Sequence, residues 1–149
     1  MPQYKVAVEK SRYAKIKDIV QSVARAQEVY YLANGKYAVR FDELDVNTPD
    51  GWTQGDRTSE ELEEREWDWG TCEVRKDTAL CRVGLSDKGT LTVVYLQYYL
   101  HISGSLKGVT RCFAYSTDLN SVANKVCQQD TQLSEPTGGG SGYKYWNYR

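Results

Sequence analysis

Apolar side chains recur every three or four residues along the first part of the chain. Tyr13, Ile16, Val20, Val23, Gln27 and Tyr30 share one stripe, the spacing of a helix that buries one face. Gln27 is its one amide. Lys5, Glu9, Arg12, Lys15, Lys17, Asp18 and Arg25 fall mostly off the stripe, and Glu9 precedes Arg12 by three residues, a favourable pairing distance. No Gly or Pro interrupts Gln3–Ala33; Pro2 stands where a first-turn proline is tolerated, and Asn34-Gly35 supplies a stop. The predicted helix therefore covers residues 3–33. At about 1.5 Å per residue it runs on the order of 45 Å, long enough for one end to project. Val6 and Val8 carry apolar character toward that end, away from any expected core.

Residues 34–70 have no sustained period and read as a connecting loop. Phe41-Asp42-Glu43-Leu44 suits one short turn, Pro49-Asp50-Gly51 is a turn signal, and Thr58–Glu64 has the composition of a helix start. Trp52, Trp67 and Trp69 are available to fasten the loop. From residue 71 the period changes to two. Thr71–Arg75 and Leu80–Leu85 predict a strand pair, Leu91–Ile102 a third strand after the turn Ser86–Gly89, and Val109–Ser116 a fourth. Asp118–Gln128 reads as a short helix capped by Asp118. Thr137–Gly142 reads as a flexible loop, and Tyr143–Tyr148 as a closing strand. Strands follow the helix rather than alternate with helices. The predicted class is α+β: a single domain over 1–149, with one long N-terminal amphipathic helix, a loop, an antiparallel sheet of about four strands within 71–116, and a cysteine-bounded region at 112–127.

Composition narrows the classes further. The chain has 149 residues, is 40% hydrophobic and 26% charged, and carries a net charge of −1, values of an ordinary globular domain that exclude wholesale disorder. The charge is unevenly placed. Residues 1–40 hold eight basic and three acidic side chains, 41–70 hold two basic and eleven acidic, and 71–149 hold nine and six, giving +5, −9 and +3. Such segments attract each other within the fold or between copies. Tyrosine is over-represented, with twelve Tyr and four Trp against two Phe, which suits either strands or half-wet interfaces.

Cys72, Cys81, Cys112 and Cys127 lack the close spacing of zinc knuckles, and His101 is the one histidine. An even count without knuckles predicts two disulfides and an oxidising compartment. Of the three connectivities, Cys72–Cys81 with Cys112–Cys127 is favoured because each pair flanks one local excursion. No catalytic constellation emerges: there is no Gly-x-Ser-x-Gly elbow to accompany His101, no phosphate-cradling Gly-Lys-Ser/Thr loop and no EF-hand. His101 is expected to be a packed or strand-edge residue. The chain is read as a non-enzyme without a cofactor, with the carboxylates of 60–68 as an alternative calcium cluster.

Several runs carry a likeness. Pro2-Gln3-Tyr4, Ala7–Ala14, Ala26–Tyr37 and Phe41–Asp45 resemble the N-terminal half of Gram-negative type IVa-like pilins, and Cys112 with Ser121–Cys127 resembles their cysteine-bounded C-terminal region. The resemblance is strong over 2–45, moderate over 109–128 and weak between. It implies a structural subunit of a major or minor pilus, polymerising with itself and other pilins into an extracellular helical fibre for adhesion, motility or DNA uptake. It also implies an apolar half-helix ahead of residue 2 that holds the subunit in the inner membrane before assembly. That segment is absent from this sequence, and Met1 is expected to replace a native residue. Two alternatives accompany it. One is a tip pilin using Lys107, Arg111, Lys125, Tyr115 and Trp146 as a basic aromatic patch for DNA or a host surface; ordinary strand decoration is the plainer explanation of those residues. The other is a type II secretion pseudopilin, disfavoured by Cys112 and Cys127.

Overall fold

The stripe from Tyr13 to Gln27 forms the buried face of a 32-residue helix, α1 (Gln3–Asn34). Tyr13, Ile16, Val20, Val23 and Gln27 are buried, while Tyr30 is half-buried against the same cluster. Val6, expected to lie away from the core, is buried in it as well; Val8, two residues on, points outward. Gly35 ends the helix at φ +71, its N–H returning to the Tyr31 carbonyl at 2.8 Å, a conformation that glycine adopts without a Cβ clash. The structure, a computed structural model, describes residues 3–84 and 92–149, so Met1, Pro2 and the expected turn at Ser86–Gly89 lie outside the described residues.

A short 3-10 turn, η1 (Phe41–Glu43), follows where one turn was expected. The sheet is larger than the sequence predicts. Its eight described strands are β1 (Thr53–Gln54), β2 (Leu62–Trp67), β3 (Gly70–Arg75), β4 (Thr78–Val83), β5 (Val93–Tyr98), β6 (Thr110–Ala114), β7 (Gly138–Gly140) and β8 (Tyr143–Asn147). All neighbours are antiparallel, in the order β1-β2-β3-β4-β5-β6-β8-β7. The expectation of about four strands within 71–116 is therefore corrected. The region 34–70 contributes β1 and β2, and the glycine-rich segment contributes β7.

The second helix, α2 (Val122–Thr131), begins later than predicted. Ser121 rather than Asp118 is its cap, accepting from the Asn124 N–H at 3.2 Å. Asp118 instead closes the preceding turn, accepting from the Asn120 N–H.

Both helices pack on one face of the sheet, α1 against β4 and β5 and α2 against β6 and β8. Between them lies the main core, which includes Val74, Val83, Val93, Tyr95, Ala114, Val126 and Trp146. Burying each such large side chain contributes about 1.5–3 kcal/mol. Tyrosine hydroxyls in this layer are partnered: Tyr13 donates to Tyr148 at 2.7 Å, and Tyr148 donates to Asp130, which also pairs with Lys17. Burial, then the neighbouring Tyr148, pushes the Tyr13 phenol well above its ordinary value. On the outer face Leu80, Val94 and Leu96 form a smaller apolar cluster.

Cys72 and Cys81 sit directly opposite each other on β3 and β4 and are bonded; Cys112 on β6 is bonded to Cys127 on α2. The second bridge spans 15 residues and fastens α2 to the sheet.

Candidate functional site

The side of α1 turned away from the sheet carries exposed apolar residues at both ends. Tyr4 and Val8 are 67% and 46% exposed, and Val29 and Leu32 are 69% and 80% exposed. Beside the second pair runs a groove of about 710 Å³ between the last three turns of α1 and residues 43–47. Ala26, Val29 and Ala33 form one wall, and Leu44 and Val46 the other. Glu43 and Asp45 are exposed on its rim, and the Tyr30 hydroxyl crosses it to Glu43 at 3.0 Å.

The loop that makes this wall is held by three side-chain clasps. The Gln27 amide donates to the Ala38 carbonyl at 2.7 Å and accepts from the Ala38 N–H at 2.9 Å, so a buried amide in the helical stripe is fully used. Glu28 accepts from the Tyr37 hydroxyl at 2.9 Å and from the Leu100 N–H at 3.1 Å, joining helix, loop and the end of β5. His101 completes that knot, with Nδ1 2.9 Å from Glu28 and its ring stacked on Tyr31. It is packed in a structural junction. Burial first, then Glu28, pushes the Tyr37 phenol to about 12, against the lowering effect of the His101 N–H. The third clasp is Glu63, which accepts from the Phe41 N–H at 2.7 Å.

The acidic segment is thus not one solvated surface. Glu63 and Glu64 are buried, whereas Asp42, Glu43 and Asp45 are exposed. Asp50, Asp56, Glu60, Glu61, Glu66 and Asp68 are exposed as well, so these acids can meet a partner's cations, whereas reversing charge at Glu63 or Glu64 would break the fold. Glu64 joins a second acid, Glu73 on β3, in a cluster with Arg57, Arg75 and Arg82. Glu73 is buried; Arg75 reaches it at 2.5 Å, Arg57 at 3.4 Å, and Arg82 closest of all. Burial favours its neutral form, but Arg82 and Arg75 outweigh burial and hold the carboxyl below its ordinary value of 4.5. A carboxylate lowered on folding stabilises the native state above its unfolded value and loses that contribution as the pH falls through its folded one. Stability against denaturant should therefore fall from about pH 4.5 downward, and Glu73→Gln should flatten that decline. Equal slopes for the two proteins would contradict the assignment.

The proposed basic aromatic patch is not assembled. Trp146 is buried on the helix side, its indole N–H donating to Asn124 at 3.0 Å. Lys125 lies on α2 and bonds Gln128, and Lys107 lies in the loop before β6. Arg111 and Tyr115 stand on the opposite face of the sheet. In the register of β6 and β8, Arg111 and Trp146 occupy positions of opposite parity and so fall on opposite faces. Among the described residues, no group of three or more His, Cys, Asp or Glu is placed to hold a metal ion, and no helix is long and apolar enough to cross a membrane. No protein-family model, curated protein or solved structure matches this sequence.

Proposed function

We propose that this chain is a type IV pilin subunit that polymerises into an extracellular helical fibre, with α1 as its packing spine. The observation that carries the reading is the outward side of α1. Its exposed apolar residues fall in two groups, Tyr4 with Val8 and Val29 with Leu32, separated by roughly 30 Å of helix. Exposed apolar patches of this kind mark contact surfaces. The first group is accompanied by Lys5, Lys10 and Lys15; beside the second, Glu43 and Asp45 form an acidic rim across the groove from Arg25. Two different, complementary patches on one molecule favour a head-to-tail contact, which generates a helical filament when the rotation does not close. The two disulfides suit a subunit that works outside the reducing cytosol.

On this reading an apolar continuation of α1 anchors the subunit in the inner membrane before assembly. The scattered positions of Lys107, Lys125 and Trp146 remove the support for a DNA-binding tip patch. The Cys112–Cys127 bridge weighs against a secretion pseudopilin. The reading assigns no catalytic role. A strain lacking the gene is expected to lose its surface fibres, with recovery on complementation. Fibres unchanged in number and length would contradict it.

A further inference from the structure

Nine of the twelve tyrosines divide between the helix side and the outer face of the sheet. Facing the helices, Tyr13, Tyr37, Tyr95, Tyr99 and Tyr148 all have hydroxyl partners. On the outer face, the hydroxyls of Tyr98, Tyr115, Tyr143 and Tyr145 have no side-chain partner among the described residues. Tyr115, Tyr143, Tyr145 and Phe113 form a continuous aromatic field across β6 and β8, and Tyr98 on β5 joins it through Arg111. The Phe113 ring is 5.7 Å from Tyr145 and 5.9 Å from Tyr143, and Tyr143 is 6.5 Å from Tyr115. The glycines of β7 allow this. A side chain at Gly138 or Gly140 would collide with the phenol of Tyr145 or Tyr143, so both rings lie flat over the edge strand.

One cation stands in the field. The Arg111 guanidinium lies 4.2 Å from the Tyr145 ring centre and 6.0 Å from that of Tyr98, with Nε fixed on Asn147 Oδ1 at 2.7 Å. Among the described residues it has no carboxylate partner, whereas Arg75 and Arg82 on the same face are both claimed by Glu73. A stacked, oriented guanidinium with its outer N–H edge unclaimed is built to receive a planar anion.

We propose that this outer face binds an acidic saccharide, its carboxylate on Arg111 and a sugar face on Phe113 and Tyr143. A sugar offers what the surface lacks: C–H groups for the rings, hydroxyls for four phenols and, in a uronic or sialic acid, one carboxylate. Nucleic acid fits less well. Its affinity grows with the number of phosphates neutralised, and this field offers one uncommitted arginine. The proposal is independent of whether the domain polymerises.

The test is titration of the 149-residue chain, followed by saturation-transfer NMR. The probes are a hyaluronan tetrasaccharide and 3′-sialyllactose, with chitotetraose and lactose as uncharged counterparts and an oligothymidylate as the nucleic-acid control. At least one acidic saccharide should bind about tenfold or more tightly than its counterpart. Arg111→Gln should bring that ratio to about one with an unchanged melting temperature. Tyr143→Leu should weaken both members of the pair, and Arg111→Lys serves as a charge-preserving variant if Arg111→Gln does not fold. The proposal is overturned if neither acidic saccharide is preferred, or if Arg111→Gln keeps the preference. Tighter binding of the oligothymidylate, or a dimer in which this face is covered, overturns it as well.

Discussion

Trp146→Ala is expected to lower the unfolding midpoint by roughly 10–15 °C. Trp146 is 1% exposed and sits where α2, β6 and β8 meet. Removing a buried indole costs about 4 kcal/mol through lost burial and the cavity left behind. The truncation also strips Asn124 Oδ1 of its donor. That amide is fully buried, and its nitrogen holds the Ser116 and Asp118 carbonyls ahead of α2. The cost therefore spreads to the start of the helix. Trp146→Phe separates the two parts, since it keeps most of the volume and loses the N–H. A cost of about 1–2 kcal/mol is expected for it. The midpoint is read by thermal unfolding and the free energy by urea unfolding, both followed through far-ultraviolet circular dichroism. A midpoint shift below a few degrees for Trp146→Ala would show that the indole is not packed as described.

Glu73→Ala is expected to destabilise the fold by about 3 kcal/mol, at the lower end of what breaking a buried ion pair costs. The lower end applies because the partners differ in freedom. Arg57 is 56% exposed and Arg75 35%, so both can turn to water, whereas Arg82 at 16% is confined and loses its main partner. Replacing Glu73 and Arg82 together by apolar residues should recover part of the loss, because the uncompensated charge goes with it. A double-mutant cycle on Glu73 and Arg82 measures the coupling directly. Additive losses would contradict the central place given to this pair.

These two predictions also mark how far the sequence could be read. The helix was legible because Tyr13 through Gln27 repeat at helical spacing and Gly35 can adopt the left-handed stop. The cysteine pairing was legible because each pair brackets a short excursion, one a hairpin and the other a strand-to-helix return. What the sequence concealed were strands without an apolar alternation. β2 runs Leu62-Glu63-Glu64-Arg65-Glu66-Trp67; its first half falls in Thr58–Glu64, whose composition reads as a helix start, and four charges in six residues hide the strand. Two of its three carboxylates are buried because Glu63 meets the Phe41 N–H and Glu64 meets Arg57 and Arg82, partners contributed by other segments. β7 is three glycines, which by composition is a flexible linker. It is a strand because Tyr143 and Tyr145 lie over it from β8. Trp146 was placed on the wrong side for a related reason: the parity of β8 depends on its register with β6, and local pattern does not reveal that register. Glu28, Tyr37 and His101 were each visible as single residues, but the junction they form joins positions more than seventy apart.

The fibre reading is tested most directly by immunogold labelling. Antibody raised against this domain is applied to fibres sheared from the native cells and imaged by electron microscopy. Gold distributed along the fibre length is the predicted result for a packing subunit. Fibres that carry no gold, from cells shown to produce the protein, would contradict the account.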